Sequence, residues 1–387
     1  MVNTLFLQSE MQDPYQFYRT MLYENPVFWD SSNNIWAIYS YRNCKAALLD
    51  PAVLIPPLNQ NNTNNLNEYA LAIDGRLARI SNGVQHEISR KTALFLFENM
   101  QSVSLPEIIN RLLPGKNVNN ETDWVNKVCK RLPVDIILKS FDFNTDAYDV
   151  ISNNIGQLIK LMLPGKTPEQ VSVINPVSKE VWTITERHIL STKFHKTITT
   201  ELAEKYGAGK DEILSLCVSN LIGLLIQSYD AGRGILSNSL LQVLGREMLL
   251  PTHINKEYLQ KYVVETLRFD PPIHNTRRIA ASSITIGNRE IKKGQMMLIV
   301  LAAANRDPRK FNNPDSFNIE RTNNNEHLTF GIGSHGCLAQ HFSVNMATAA
   351  LSYLFEKYNS IKLVEKEIQY EPVINARLPI NISISLR

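Results

Sequence analysis

Cysteine is scarce in this 387-residue chain, which has only four: Cys44, Cys129, Cys217 and Cys337. Four thiols so far apart have neither the paired spacing of a zinc site nor the density of a disulfide framework. The first three lie in stretches typical of helices, and we expect them to be reduced thiols packed as small apolar groups. Cys337 instead follows a glycine-rich segment.

The sequence also lacks long apolar runs and any strong excess of charge. No segment reaches the ~18 consecutive apolar residues of a membrane span, and residues 1–20 lack the basic start and apolar stretch of a secretory signal. Lys and Arg number 40 against 37 Asp and Glu, without a basic or acidic run. We therefore expect a soluble, cytoplasmic protein with no membrane and no nucleic-acid partner.

The hydrophobic pattern predicts a mainly α fold with a small β portion. Hydrophobic residues make up 44% of the chain, enough for a large buried core, and no repeat or long linker interrupts it, so we expect a single domain over residues 1–387. Helices are predicted at 41–49, through most of 81–250, and at 257–269. Strands are predicted at 26–30 and 35–39 as a hairpin, and at 284–286, 290–291, 296–301 and 379–386. The Asn-rich residues 60–67 predict a mobile loop, with a short flexible linker as the alternative.

A glycine-rich turn leads into Cys337. Residues 330–337 read Phe-Gly-Ile-Gly-Ser-His-Gly-Cys, and glycines allow a tight turn and a close approach of the backbone to a ligand. A run with helical character follows, so Cys337 would lie at a helix N-terminus, where N–H groups and the helix dipole stabilise a thiolate. Taken alone, an inert cysteine beside a glycine turn would be the commoner explanation.

This turn resembles the Phe-Gly-x-Gly-x-His-x-Cys loop of the cytochromes P450. The resemblance implies the P450 fold and haem b, with the Cys337 thiolate as the axial iron ligand, an arrangement that favours O–O cleavage. It also implies that Phe330, His335 and Ala339 lie at the haem. The family usually has glycine two residues after the cysteine, where this chain has Ala339, which is small enough to be tolerated.

Two further segments resemble the family in the expected order. Glu265-Thr-Leu-Arg268 is similar to its Glu-x-x-Arg motif, and residues 305–308 and 317–321 resemble its meander. Arg321 is then expected to complete a buried network with Glu265 and Arg268. A lone Glu-x-x-Arg is usually a surface pair of little energy, but here we expect it to support the haem-binding core.

Four side chains are implied as partners of the haem propionates, among them His335 of the glycine turn. His86 and Arg90 resemble the family's His-x-x-x-Arg element, one turn apart on one helix, and Arg278 follows the Pro-Pro step at 271–272 at the family's spacing. Arginine pairs with carboxylates through two parallel hydrogen bonds. For His86 alone, a helix histidine with its hydrogen bonds satisfied would be the simpler explanation.

The segment at 221–241 is expected to form the long helix across the distal face of the haem. Family members usually place an acid and then a threonine there to relay protons, and the best match in this chain is Asp230 followed by Ala231. An alternative alignment puts Ile235 at the threonine position and loses the acid as well. In both alignments the usual hydroxyl is missing.

Two polar residues could compensate for that missing hydroxyl. Gln227 and Ser228 precede Ala231 by about one turn and share its face of the helix. We predict catalytic roles for Asp230, Ser228 and Gln227, with Ser228, a substrate hydroxyl or an ordered water completing the relay. The alternative is that Gln227 and Ser228 only satisfy the helix backbone.

The resemblance implies a monooxygenase that uses dioxygen and two electrons to hydroxylate or O-dealkylate a small molecule. The sequence contains no reductase-like segment, so ferredoxin and ferredoxin reductase are expected as electron donors. Because burying Gln227 against a purely apolar substrate would cost about 1–3 kcal/mol, a substrate with polar groups is favoured. A peroxygenase driven by hydrogen peroxide is the alternative, although Arg233 lacks the following proline of such relatives, and a non-enzymatic haem sensor is a third possibility.

Overall fold

The computed structural model describes residues 3–57, 65–113, 121–163, 165–192, 194–207, 209–245, 255–365 and 367–387. The fold of these residues is mainly helical with small sheets, which confirms the predicted fold class. Most of the loop predicted at 60–67 lies outside the described residues. The described α-helices and strands have the following bounds.

The helices are α1 (Pro14–Glu24), α2 (Tyr41–Leu49), α3 (Glu68–Gly75), α4 (Gly83–Glu98), α5 (Leu105–Leu112), α6 (Leu132–Ser140), α7 (Thr145–Leu158), α8 (Pro168–Ser191), α9 (Phe194–Tyr206), α10 (Lys210–Leu244), α11 (Lys256–Phe269), α12 (Leu301–Ala304) and α13 (Gln340–Lys357). The strands are β1 (Val27–Asp30), β2 (Ile35–Ile38), β3 (Val53–Leu54), β4 (Glu121–Asp123), β5 (Thr276–Ala280), β6 (Ile284–Ile286), β7 (Arg289–Ile291), β8 (Met296–Ile299), β9 (Ile361–Leu363) and β10 (Ser383–Leu386).

The chain divides into two compact units. The first comprises Met1–Pro56, Ser104–Leu132 and Asp230–Arg387, and the second comprises Pro57–Val103 and Pro133–Tyr229. Each unit is assembled from separated parts of the chain, and α10 begins in the second unit and ends in the first. The single domain expected over residues 1–387 stays a prediction.

The first unit holds the described strands. Its largest sheet has the order β1-β2-β8-β5-β3, with β2 and β8 parallel and the other pairs antiparallel. The predicted hairpin is present as β1 and β2. The strand predicted at 296–301 ends at Ile299, however, because the next residues form the short helix α12 (Leu301–Ala304), where three alanines have high helix propensity and are fully buried.

The second unit is a helical cluster. Its core joins α3, α4 and α6–α10 through buried aliphatic side chains, among them Ile73, Leu138, Ile174 and Leu225. Hydrophobic burial of this kind is the main stabilising contribution to such a cluster. Trp182 and Tyr69 meet edge to face at its margin.

Helix α10 is the one described helix whose length and composition would allow it to cross a bilayer. Of its most apolar 18-residue window, 61% is buried inside the fold. A helix that is apolar on nearly all sides and packed within a protein has the composition of a core helix. The helix also starts earlier than the predicted 221–241, because its first turns carry charged residues that the apolar pattern omits.

Candidate functional site

The turn before Cys337 depends on two glycines. Gly331 and Gly333 have φ values of +64° and +75°, in the left-handed region that side-chain-bearing residues rarely adopt. The Cys337 N–H donates to the Phe330 carbonyl at 2.8 Å, closing the loop. A Cβ on Gly333 would lie 3.2 Å from both the carbonyl oxygen of Leu48 and a methyl of Leu49, so this position is crowded as well as left-handed.

Cys337 is the one exposed cysteine of the four. Cys44, Cys129 and Cys217 are fully buried, and burial raises the pKa of each thiol, that of Cys217 to about 12. A thiol that cannot ionise neither attacks nor ligates a metal. The prediction that these three are inert apolar groups agrees with their burial, and Cys337 is left as the accessible thiol.

Helix α13 begins just after the cysteine. Ala339 is its N-cap residue, with φ −92° and ψ 15°, and its carbonyl accepts from the Ser343 N–H at 2.8 Å. Those dihedrals are open to any L-amino acid, which explains why alanine can stand where the family usually has glycine. Cys337 lies two residues before this N-cap, so it is close to the helix N-terminus at which the sequence placed it but outside the helix.

A buried ion-pair triad lies on α11 and the following meander. Arg268 donates to both carboxylate oxygens of Glu265, at 2.9 and 2.7 Å, and both side chains are fully buried. The Arg321 Nε lies 3.6 Å from Glu265 Oε1. The predicted Glu265–Arg268–Arg321 network is therefore present, and it is an internal structural group.

Asn305 connects this triad to the cysteine loop. Its carbonyl accepts from Arg268 at 3.0 Å, its amide donates to Thr329 Oγ1 at 2.8 Å, and its Oδ1 accepts from the Leu328 N–H at 2.7 Å. Thr329 in turn donates to the Leu267 carbonyl at 2.6 Å. The sequence placed Asn305 in the meander but did not predict this role. Thr329, directly before the loop, is the residue that could have indicated it.

Arg278 lies on β5 with its side chain on the buried face of the strand. Its exposed fraction is 7%, and its guanidinium donates to Thr276 Oγ1 and to the Arg277 carbonyl, at 2.8 and 2.7 Å. Its role toward a carboxylate of the cofactor stays a prediction.

His86 and Arg90 belong to the second unit, one turn apart on α4. His86 is buried, and its Nδ1 lies 2.7 Å from the Ala78 carbonyl. Because a carbonyl only accepts, Nδ1 must carry the proton. One loop of the first unit contains Phe330, His335, Cys337 and Ala339. The roles predicted for these residues and for His86 and Arg90 stay predictions.

The side chains that could bind a cofactor fit a haem better than a bare metal ion. No group of three or more His, Cys, Asp or Glu side chains suited to a metal occurs in the described ranges. A single accessible thiol on a glycine turn, with a buried arginine in the same unit, has instead the chemistry of an axial ligand and a propionate partner.

The middle of α10 keeps one accessible face. Leu224, Gln227, Ser228 and Ala231 are partly accessible, whereas most neighbouring positions are buried. Their spacing places them on one side of the helix. Gln227 Nε2 donates to the Gly223 carbonyl and Ser228 Oγ to the Leu225 carbonyl, both at 3.0 Å. Both side chains therefore bond the helix backbone, the alternative that the sequence left open, and their role in a relay stays a prediction.

Asp230 is held in an ion pair. Its Oδ1 lies 3.0 Å from Arg233 Nε, and Arg233 Nη1 lies 3.0 Å from Glu371 Oε1. The Asp230 and Glu371 side chains are 46% and 26% exposed, but that of Arg233 only 8%. The i,i+3 spacing could have indicated the first contact, whereas nothing local indicates Glu371.

Comparisons with known proteins agree with this geometry. The sequence profile of the family described as cytochrome P450 matches residues 233–384. The chain is 24% identical to the "Biotin biosynthesis cytochrome P450" of Bacillus subtilis over 95% of this chain and 94% of that protein. It is 25% identical to "Cytochrome P450 119" of Sulfurisphaera tokodaii over 93% and 96% of the two chains.

The fold is also similar to solved structures. It matches P450BioI, solved in complex with a hexadec-9Z-enoic acid ligated acyl carrier protein, with a TM-score of 0.80 and 21% identity over 98% of this chain and 100% of that one. At that identity the match concerns the fold.

Proposed function

The chain belongs to the cytochrome P450 family, and we propose that it hydroxylates or O-dealkylates a small, polar-functionalised organic molecule. Members of the family are monooxygenases that bind haem through a cysteine, so the chain is a haem-thiolate oxidoreductase with haem b as its cofactor. In our proposal dioxygen is the oxidant, a separate ferredoxin and its reductase deliver the electrons, and the protein works in the cytoplasm.

One observation carries the cofactor assignment: Cys337 is the accessible thiol, and its loop is closed by the hydrogen bond to Phe330. When bound, the haem supplies the iron at which dioxygen is reduced and oxygen is transferred. The residues of this chain hold and orient it. We assign Cys337 as the thiolate that would hold the iron, and Arg278, His86 and Arg90 as the side chains that would pair with the propionates.

The carbonyl spectrum of the reduced protein tests this assignment. Replacing Cys337 with serine should remove the thiolate-type spectrum, since a serine oxygen does not reproduce thiolate ligation. Replacing the buried Cys44 or Cys217 with alanine is the matched control and should leave the spectrum unchanged. A thiolate-type spectrum that survives Cys337→Ser would contradict the central assignment.

A peroxygenase is the second candidate, and the distal helix provides the observation in its favour. Ala231 offers no hydroxyl, and Asp230 is paired with Arg233, so the acid that would deliver protons for dioxygen cleavage is engaged. Turnover with ferredoxin, reductase and a nicotinamide cofactor, compared with turnover driven by hydrogen peroxide alone, separates the two candidates. Turnover that occurs with hydrogen peroxide but not with ferredoxin, reductase and the nicotinamide cofactor would make the peroxygenase the first candidate.

A further inference from the structure

The accessible face of α10 presents more hydrogen-bond acceptors than donors. Gln227 places one end of its amide 3.0 Å from the Gly223 carbonyl. A carbonyl only accepts, so that end must be the NH2 group, and the amide oxygen points away from the groove of the helix. The orientation of this amide is thus fixed by chemistry.

The neighbourhood holds the amide in this position. A Cβ on Gly223 would lie 2.5 Å from a methyl of Leu77 and 3.2 Å from Gln227 Nε2, so glycine is what lets the amide lie against the helix. Ser228 uses its only hydrogen on the Leu225 carbonyl. What remains on this face is the amide oxygen, the serine oxygen and one amide hydrogen, while Ala231 adds no polar atom.

We propose that the substrate carries an O–H or N–H group that donates to Gln227 Oε1, with Ser228 Oγ as a second acceptor. The inference rests on the proposed function, because it takes the accessible face of α10 as the face toward the substrate. Alcohols, amines and amides would satisfy the acceptors. Ethers, esters and hydrocarbons would leave the amide oxygen desolvated without a partner.

Binding to the haem-loaded protein tests the proposal without turnover. The probes are a size-matched fragment library, half with an O–H or N–H group and half without, and pairs consisting of an alcohol and its methyl ether. Binding is followed by the change in the haem absorption. We expect the hits to be enriched in donors, and each alcohol to bind roughly 3- to 10-fold more tightly than its ether.

The variant Gln227→Met keeps the length of the side chain but removes the acceptor, and methionine adapts well to irregular packing. In this variant the alcohol should lose most of its advantage over the ether, because only Ser228 Oγ remains as an acceptor. Gln16→Met, at an exposed position of α1, is the control and should behave as the wild type. A thermal unfolding midpoint near that of the wild type shows that the variant is folded.

Equal binding of alcohols and ethers by the wild type would overturn the proposal, as would a preference that persists undiminished in Gln227→Met. Turnover separates these failures from failure of the proposed function. Oxygenation driven by dioxygen without any donor preference contradicts the substrate inference alone. A donor preference without dioxygen-driven oxygenation contradicts the proposed function alone, and a library without a single hit contradicts both.

Discussion

Within the Glu265–Arg268–Arg321 network, replacing Arg268 should lower the stability of the fold most. The stability lost in Arg268→Met measures the contribution of this arginine to the network. Arg268 makes five hydrogen bonds, two to Glu265 and three to the carbonyls of Asn305, Pro314 and Ser316. Removing one partner of a buried ion pair costs about 3–5 kcal/mol, because the other charge stays buried. We expect a loss of about 3 kcal/mol, the low end, because Glu265 keeps Arg321 at 3.6 Å.

Denaturation in urea, followed by circular dichroism, provides the measurement, and α11 provides the control. Lys261 pairs with Glu320 at 3.1 Å between the same helix and the same meander, but the two side chains are 41% and 66% exposed. Lys261→Met should therefore cost at most about 1 kcal/mol.

Adding Glu265→Gln to Arg268→Met should recover part of the lost stability, since it removes the uncompensated charge. Equal effects of Arg268→Met and Lys261→Met, or a double variant less stable than Arg268→Met, would refute the reasoning.

Three further results are expected. Asp230→Asn should lower dioxygen-driven turnover much more than substrate affinity, because asparagine cannot cycle a proton, and unchanged coupled turnover would remove the relay assignment. Arg278→Ala and His86→Ala should each weaken haem retention, through loss of charge-assisted hydrogen bonds of about 1.5–3 kcal/mol, without changing the carbonyl spectrum; wild-type retention in both would contradict the propionate assignments. Burial, with nearby arginines, holds the pKa of His274 well below 6.5. Below pH ~6.5 the unfolded chain therefore binds a proton at His274 that the folded chain does not. The free energy of unfolding should fall there by up to about 1.4 kcal/mol per pH unit. His274→Gln should flatten this dependence in denaturant titrations, and an unchanged slope would contradict it.

Local chemistry made much of the fold predictable. The hairpin of β1 and β2 follows from alternation around a polar turn, and Gly331 and Gly333 are left-handed where the sequence indicated a tight loop. The Glu265–Arg268 contact follows from helical spacing. In each case a few neighbouring residues determine the local structure, so the sequence pattern predicts it.

The contacts that Asn305 and Arg233 make with distant segments were not predicted. Asn305 joins α11 to the cysteine loop through Leu267 and Thr329, and Arg233 joins α10 to Glu371, which is 138 residues away. Such contacts depend on how the elements pack, which has no counterpart in a local pattern. The end of β8 at Ile299 was missed for a related reason, because a short buried alanine helix resembles the end of a buried strand.

The ion pairs of Arg233 bear on how Asp230 could serve the reaction. A guanidinium with an 8% exposed side chain needs an anion, and it has two: Asp230 and Glu371. If Asp230 delivers protons, its carboxylate must leave Arg233 or become neutral during each cycle. Glu371 then still compensates the charge of Arg233, so a movement of Asp230 does not leave a buried charge without an anion. Asp230, 46% exposed, is the partner that water reaches more easily, and the second carboxylate thus makes a mobile acid compatible with a buried cation.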